Sequence, residues 1–210
     1  MTNSSQILFD RAVLEGFATL NRGDAALPTL RKIIKLINAE SIKVARIRTT
    51  LSAAARPNTL SSRYGVSRFP PHTDFAHANL PPHYLLLFCP VPRNVRTFIY
   101  HPKDISPTLA ADLKHGLFRV KGPNNAFTSR ISSCSPTRSL LRFNVDVMQP
   151  LDYISANIAN FIVNKWKPSA TIDWNTTSIL LIDNWSVLHG RSEQINDASG
   201  WAWRFAIWSK

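Results

Sequence analysis

The stretch Ile179-Leu-Leu-Ile-Asp-Asn-Trp-Ser-Val-Leu-His-Gly-Arg191 carries the most information about the fold of this chain. Its apolar part, within 178–183, has the length and composition of a buried strand, and His189 follows it closely. Upstream, His72-Thr73-Asp74 precedes a second apolar run at 84–89. Each segment therefore places polar side chains beside a predicted strand, where a rigid backbone can fix their geometry.

His72, Asp74 and His189 form a candidate metal-ligand set. Residues i and i+2 of a strand point to the same side, so His72 and Asp74 would project together while Thr73 faces away. Two imidazoles and one carboxylate can hold one face of an Fe(II) ion and leave the opposite positions for a co-substrate and O₂. The pair alone is not specific, because a chain with 6 His and 13 acidic residues contains H-x-[D/E] by chance about 0.4 times. The alternative is a set of hydrogen-bonded structural side chains.

Length and composition indicate one domain with an ordinary core, since the chain has 210 residues of which 44% are hydrophobic. No stretch approaches the ~20 apolar residues needed to span a membrane, and the first residues lack the features of a signal peptide. The two cysteines, Cys89 and Cys134, do not make a disulfide framework. We therefore expect a cytoplasmic protein that is not membrane-bound.

The charge is strongly basic, with 25 Lys and Arg against 13 Asp and Glu and a net charge of +12. Such a surplus can mark nucleic-acid binding, and it can equally attract small anions. The basic residues are scattered, and no nucleic-acid motif accompanies them, so the sequence favours a solvated basic surface over a nucleic-acid partner. An anionic small-molecule substrate is compatible with the same charge.

Hydrophobic periodicity predicts helices at the start of the chain and short strands after them. Apolar residues recur at helical spacing at Leu30, Ile33, Ile34 and Ile37, and more loosely over 7–20. Strands are predicted at 84–89, 95–100, 117–121, 139–145, 178–183 and 203–208, with a helix at 151–165. This order indicates a mainly β barrel or sandwich with helices packed outside it. No glycine-rich phosphate loop is present, which argues against an enzyme with a nucleotide cofactor.

Three segments resemble the clavaminate synthase-like and taurine dioxygenase-like group of Fe(II)- and 2-oxoglutarate-dependent oxygenases. Residues 69–77, with the strand after Pro82, are similar to that group's first metal-ligand strand and its neighbour. Residues 139–150 are similar to the R-[YF]-D-x3-M-x-P stretch of its amino-acid hydroxylase branch. Residues 179–191 match its DN-x4-HGR motif and lead to an Arg-bearing strand at 203–208. The matches together cover residues 66–208.

The resemblance implies a double-stranded β-helix, a cupin-like jelly-roll core, at 66–208. Residues 1–55 would then form a helical cover within a single oxygenase domain that spans 1–210. His72, Asp74 and His189 would bind iron, as the resemblance implies. Arg204 would bind the distal carboxylate of 2-oxoglutarate, and Thr97 would hydrogen-bond the same carboxylate. A planar guanidinium suits a bidentate pair with a carboxylate, and a charge on an otherwise apolar strand needs such a partner. A structural ion pair is the alternative for Arg204.

Four further residues are candidate substrate contacts: Arg68, Arg142, Asn144 and Arg191. Asn144 stands where the resembling stretch has an Asp that often holds a substrate amine. A salt bridge is the alternative role for Arg142, and a structural role is the alternative for Arg191. Asp74 itself favours hydroxylation over halogenation, because the related halogenases carry a small residue at that position.

The function expected from these observations is a dioxygenase that uses Fe(II), 2-oxoglutarate and O₂. It would hydroxylate an unactivated C–H bond of a small molecule, such as an amino-acid-derived or natural-product intermediate, with release of succinate and CO₂. Two alternatives remain open at this point. One is an oxygenase of the same kind that acts on nucleic acid or protein, and the other is a basic binding protein without enzymatic activity. The sequence leaves the oligomeric state open.

Overall fold

The computed structural model describes residues 4–23, 26–48, 50–55, 57, 59–122, 124–135, 138–194 and 200–209. The helices are α1 Ser4–Glu15, α2 Ala26–Leu36, α3 Leu60–Tyr64, α4 Pro107–His115 and α5 Tyr153–Asn164. The first strands are β1 Phe17–Asn21, β2 Ala39–Arg48, β3 Phe69–His72, β4 Tyr84–Phe88, β5 Arg96–Tyr100, β6 Phe118–Lys121 and β7 Ala126–Ser129. The remaining strands are β8 Ser132–Ser135, β9 Arg138–Leu141, β10 Met148–Pro150, β11 Ala170–Asp173, β12 Thr177–Asp183, β13 Leu188–Arg191 and β14 Trp201–Ser209.

Two antiparallel sheets face each other and form the predicted jelly roll. One sheet has the order β1-β12-β4-β14-β2, and the other has the order β11-β5-β13-β3. The chain alternates between them, since β3, β5 and β13 lie in the smaller sheet while β4, β12 and β14 lie in the larger one. Fully buried apolar side chains fill the space between the sheets, among them Leu85, Ile99, Leu180 and Val187. The mainly β fold class with a double-stranded β-helix core is therefore confirmed.

The N-terminal region covers the outer face of the larger sheet but also contributes two strands to it. Leu8 of α1 and Ile33 of α2 are buried against Leu86 and Leu181 of that sheet. The helix predicted over 7–20 ends at Glu15, because Gly16 adopts a φ of 80° and the chain then pairs as β1 with β12. Strand β2 pairs with β14 at the edge of the sheet, and its charged, largely exposed residues gave no strand pattern in the sequence.

A long insertion between β5 and β11 builds a second layer on the outer face of the smaller sheet. Its core includes Phe118, Ile131, Phe143 and Ile158, packed against Tyr100 and Leu188. Helix α5 confirms the helix predicted at 151–165, and a capping box between Asp152 and Ser155 explains where it begins. The strand predicted at 139–145 is shorter, because β9 ends at Leu141. In the part of the chain that the structure describes, no helix is long and apolar enough to cross a membrane.

Arg22 joins three segments at one end of the jelly roll. The acceptors of its hydrogen bonds are main-chain carbonyls and not carboxylates. Its guanidinium donates to six main-chain carbonyl oxygens at 2.9–3.2 Å. These carbonyls belong to Cys89, Pro90, Val91, Trp174, Asn175 and Thr177, so the residue ties the end of β1 to the β4–β5 and β11–β12 connections. Hydrogen bonds from a charged donor are the stronger kind, which makes this contact important for stability.

We expect Arg22→Met to lower the free energy of unfolding by about 2–3 kcal/mol, because carbonyls that now accept charged hydrogen bonds would lose their partner. The measurement is urea denaturation followed by circular dichroism. Arg11→Met is the matched control, since Arg11 forms an exposed pair with Glu15 worth less than about 1 kcal/mol. Equal losses of stability in the two variants would contradict this role for Arg22.

Candidate metal centre

His72, Asp74 and His189 converge between the two sheets. His72 ends β3 and lies directly opposite His189 of β13 in the antiparallel pairing, so the two ring centroids are 4.4 Å apart. Asp74 Oδ1 lies 3.5 Å from His72 Nε2 and 3.9 Å from His189 Nε2. One ligand atom from each residue falls within 4.8 Å of the others, and all three side chains are buried. The structure thus brings together the three residues that the sequence singled out.

A hydrogen bond orients the His72 ring, and burial keeps the His189 ring neutral. His72 Nδ1 lies 2.9 Å from the carbonyl oxygen of Pro70, which can only accept, so this contact holds the ring with Nδ1 as the donor and Nε2 turned toward Asp74 and His189. Burial, helped by the neighbouring His72, lowers the pKa of His189 to about 3. His189 is therefore neutral at physiological pH, as ligation requires.

The two carboxylate oxygens of Asp74 face different partners. Oδ1 faces the imidazoles, whereas Oδ2 accepts a hydrogen bond from Arg204 Nη1 at 3.0 Å. Burial alone would raise the pKa of Asp74, but the adjacent charge of Arg204 is the largest opposing effect, and the pKa falls well below its usual value. Asp74 is accordingly ionised, and Oδ1 is available to a cation while Arg204 holds Oδ2.

The donor set suits a divalent iron ion. Two neutral imidazole nitrogens and one carboxylate oxygen are the facial triad of non-haem Fe(II) oxygenases. Thr73 faces away, as the strand spacing predicted, because its Oγ1 donates to the Leu141 carbonyl and accepts from the Phe143 N–H. The three residues present therefore fit an iron ion on the chemistry of their donors and on their convergence in a buried site.

Asn184 holds the backbone of Asp74 and was not identified as functional from the sequence. Its Oδ1 accepts from the Asp74 N–H at 3.0 Å, and its Nδ2 donates to the carbonyls of Asp74 at 3.2 Å and Pro82 at 2.9 Å. The side chain is fully buried. The DN-x4-HGR motif marked this position, but a single sequence does not show which backbone the amide would contact. Asn184 therefore fixes the carboxylate ligand from the turn between β12 and β13.

We expect Asn184→Ala to weaken binding of a divalent metal by about 10–100-fold, the usual effect of removing a side chain that orients a ligand. The dissociation constant of Fe(II), measured anaerobically on protein shown to be folded, tests this. Asn94→Ala, at an exposed position in the β4–β5 connection, is the control and should leave the constant unchanged. Unaltered metal affinity in folded Asn184→Ala would rule out the positioning role.

Arg204 lies on the face of β14 that points between the sheets. Ala202 and Ala206, which share this face, are buried in the inner core, and Ala45 of β2 lies opposite Arg204. The small side chains leave room beside the guanidinium. Arg204 Nε is buried and has no hydrogen-bond partner among the described residues. The structure places Arg204 against the iron-ligand candidate Asp74, and its role toward 2-oxoglutarate stays a prediction.

Thr97 on β5 is buried and also faces the inner core side of its sheet, as does Ile99. Its Oγ1 accepts a hydrogen bond from Trp174 Nε1 at 2.9 Å, which leaves the hydroxyl proton for another acceptor. No contact between Thr97 and Arg204 or the triad is recorded among the described residues. Its proposed contact with the co-substrate therefore also stays a prediction.

The candidate substrate arginines bind main-chain and side-chain oxygens away from the triad. Arg142 donates to the carbonyls of Ala76, Ala78 and Asn79, in the segment that follows Asp74. This contact replaces the salt bridge considered as its alternative role.

Arg191 donates to the carbonyls of Gly65 and Ser67, and its guanidinium lies 3.5 Å from the Phe69 ring centroid. Of the remaining two candidates, Arg68 donates to Tyr100 Oη, and Asn144 Oδ1 accepts from the nearby Asp146 N–H. The structure does not bring these side chains to the triad, and their roles toward a substrate stay predictions.

Fold and donor set together define a class: a jelly roll that carries a two-histidine, one-carboxylate site. No family model and no curated protein matches the sequence. Solved structures do match, and they show that the chain has the fold of several iron-dependent oxygenases.

Three solved structures illustrate this likeness. The non-haem iron oxygenase OrfP, in complex with Fe, succinate and (3S)-hydroxy-L-Arg, is 13% identical with a TM-score of 0.71, covering 100% of this chain and 81% of OrfP. PvcB from Pseudomonas aeruginosa is 15% identical with a TM-score of 0.64, covering 97% of this chain and 79% of PvcB. An asparagine oxygenase in complex with Fe(II), 2S,3S-3-hydroxyasparagine and succinate is 14% identical with a TM-score of 0.59, covering 77% of this chain. The present chain spans only 60% of the length of that oxygenase.

Proposed function

We propose that this protein is an Fe(II)- and 2-oxoglutarate-dependent dioxygenase that hydroxylates a C–H bond of a small molecule. The observation that carries the proposal is the convergence of His72, Asp74 and His189 beside Arg204 inside the jelly roll. Solved structures of the same fold hold iron and succinate, and two of them hold hydroxylated amino acids. These complexes support a small molecule, rather than a macromolecule, as the substrate.

Each group of the site has a distinct task in this proposal. His72, Asp74 and His189 would hold the iron. When bound there, iron would let O₂ oxidise 2-oxoglutarate to succinate and CO₂ and the substrate C–H bond to an alcohol. Arg204 donates one N–H to Asp74, so its other donors, including the unpartnered Nε, would be available to the distal carboxylate of the co-substrate.

Phe75 shields the site on the side of Arg204. It adopts a φ of 58°, a conformation that is uncommon for a residue with a bulky side chain and that is often found at functional sites. Its ring centroid lies 5.3 Å from the Arg204 guanidinium carbon, and it meets the Trp208 ring edge-on at 5.6 Å. The two aromatic rings would keep water from Arg204 and so strengthen its pairing with a carboxylate.

The proposal also covers the extent of the domain, the charge of the substrate and the cellular compartment. We take 1–210 as one oxygenase domain, because α1 and α2 pack on the same sheet that carries Arg204. The net charge of +12 supports an anionic substrate through electrostatic attraction. Two free cysteines, Cys89 and Cys134, support a reducing compartment such as the cytoplasm.

The test is anaerobic addition of Fe(II) and then 2-oxoglutarate to the metal-free protein. We expect one iron per chain and a visible metal-to-ligand charge-transfer band that appears only when both are present. Admission of O₂ should then yield succinate even without the substrate, at a slow rate. Folded protein that binds no iron, or that binds iron but gives no band with 2-oxoglutarate, would exclude the proposed function.

A further inference from the structure

Lys43 of β2 lies on the same face of the larger sheet as Arg204 of β14. In the β2–β14 pairing, Lys43 is opposite Ala206 and Ala45 is opposite Arg204. Because side chains alternate along a strand and paired residues share a face, all four point toward the space between the sheets. A lysine in this position is a second cation on the wall that carries the candidate co-substrate residue.

Both cations approach one aromatic ring. The Lys43 ammonium nitrogen lies 5.4 Å from the centroid of the Phe75 ring, and the Arg204 guanidinium carbon lies 5.3 Å from it. Alanine occupies the neighbouring inward positions of the two strands, at 45, 202 and 206, and the Phe75 ring is a large side chain that contacts both cations. Lys43, Arg204, Phe75 and these alanines together form what we call the two-cation recess.

We propose that Lys43 is a second binding residue for the distal carboxylate of 2-oxoglutarate, acting beside Arg204 in the two-cation recess. The inference rests on the proposed function, since it assigns a further residue to the same site. A carboxylate has two oxygens, and a guanidinium that already donates to Asp74 is better complemented by a second cation than by a neutral group. Lys43 is exposed on an edge strand, so its ammonium reaches the recess from the rim.

The charges around the recess agree with an anionic ligand. Among the described residues, Asp74 is the one acidic side chain that pairs with Arg204. Its other oxygen faces the two histidines. Burial lowers the pKa of the adjacent His77, and the charge of Lys43 lowers it further. The Lys43 ammonium is therefore close enough to the segment after Asp74 to act on its charged groups, and its contact with the Phe75 ring places it on the same side. The alternative is that Lys43 is a surface lysine that contacts the Phe75 ring and has no part in binding a ligand.

Anaerobic titration of the Fe(II)-loaded protein, followed by the charge-transfer band, tests the inference with two ligands. The first is 2-oxoglutarate, and the second is 2-oxovalerate, which has the same chain length but lacks the distal carboxylate. We expect Lys43→Met to raise the dissociation constant of 2-oxoglutarate about five-fold, as for a partly exposed ion pair, and to leave that of 2-oxovalerate unchanged. Lys43→Arg should restore most of the affinity, because it keeps the charge.

Lys32→Met is the matched control, because Lys32 is an exposed lysine of α2. This variant should bind both ligands as tightly as the wild type does. An unchanged constant for 2-oxoglutarate in Lys43→Met would overturn the inference, and so would an equal rise for both ligands, which would indicate a general disturbance. Lys43→Gln provides a polar variant should the methionine variant not fold. Absence of the band in the wild type would instead refute the proposed function itself.

Discussion

His72→Ala should fold and yet bind iron more than about 100-fold more weakly than the wild type, with no charge-transfer band on addition of 2-oxoglutarate. The expected loss exceeds the 10–100-fold effect of removing an outer residue that only orients a ligand, because a ligand itself is removed. Only Asp74 and His189 would remain as donors, and neither could replace the Nε2 of His72, which the Pro70 carbonyl orients. Metal analysis after anaerobic loading measures this directly.

His115→Ala is the control for this variant. His115 lies at the end of α4 on the surface, so its removal should leave one iron per chain. Thermal unfolding of both variants verifies that the alanine at position 72 has not simply unfolded the smaller sheet. Stoichiometric iron in His72→Ala would show that the three converging side chains are not the metal site.

Arg204→Met is expected to raise the dissociation constant of 2-oxoglutarate by about 100-fold while iron binding persists. Two charge-assisted hydrogen bonds to a carboxylate, in a largely buried site, account for a loss of this size. Methionine is similar in length and apolar, so it fits the aromatic surroundings of Phe75 without adding an unpaired polar group. The measurement is the same anaerobic titration of the Fe(II)-loaded protein.

Two further variants, Arg204→Lys and Arg46→Met, test the expected role of Arg204. Arg204→Lys keeps the charge but loses the planar fork, so an intermediate affinity is expected. Arg46→Met is the control on the neighbouring strand, since Arg46 lies on the opposite face of β2 and contacts the Trp201 ring at 4.3 Å. If Arg204→Met binds 2-oxoglutarate as tightly as Arg46→Met does, another group holds the distal carboxylate.

The metal-ligand candidates were predictable because their signal is local. The spacing of His72 and Asp74 predicted a shared side, and the two side chains do meet, although β3 ends at His72 and Asp74 lies in the turn after it. His189 stands just after a strongly apolar run. Arg204 was predicted from the resemblance, which implies an arginine on the strand after the second histidine, and its place within an apolar strand supported that prediction. The structure adds the pairing of β3 with β13, which brings the two histidines together.

Other features depend on contacts between distant segments and leave no pattern in the chain. Strand β2 mixes charged and apolar residues without a regular alternation, and only its pairing with β14 identifies it as part of the sheet. Asn184 acts on the Asp74 backbone 110 positions earlier in the sequence. The sequence shows the charge of Arg142 and Arg191, but it does not show that their partners are carbonyls instead of carboxylates.

Hydrogen bonds from arginines to main-chain carbonyls should persist when the pH falls. Arg22, Arg142 and Arg191 fasten loops through main-chain oxygens, which do not titrate, and a guanidinium remains protonated at any acidic pH. An ion pair such as Arg63 with Asp146 disappears when its carboxylate is protonated, whereas these contacts persist. The loop after Asp74 should therefore keep its anchor on acidification, even where carboxylate-dependent contacts elsewhere have been lost.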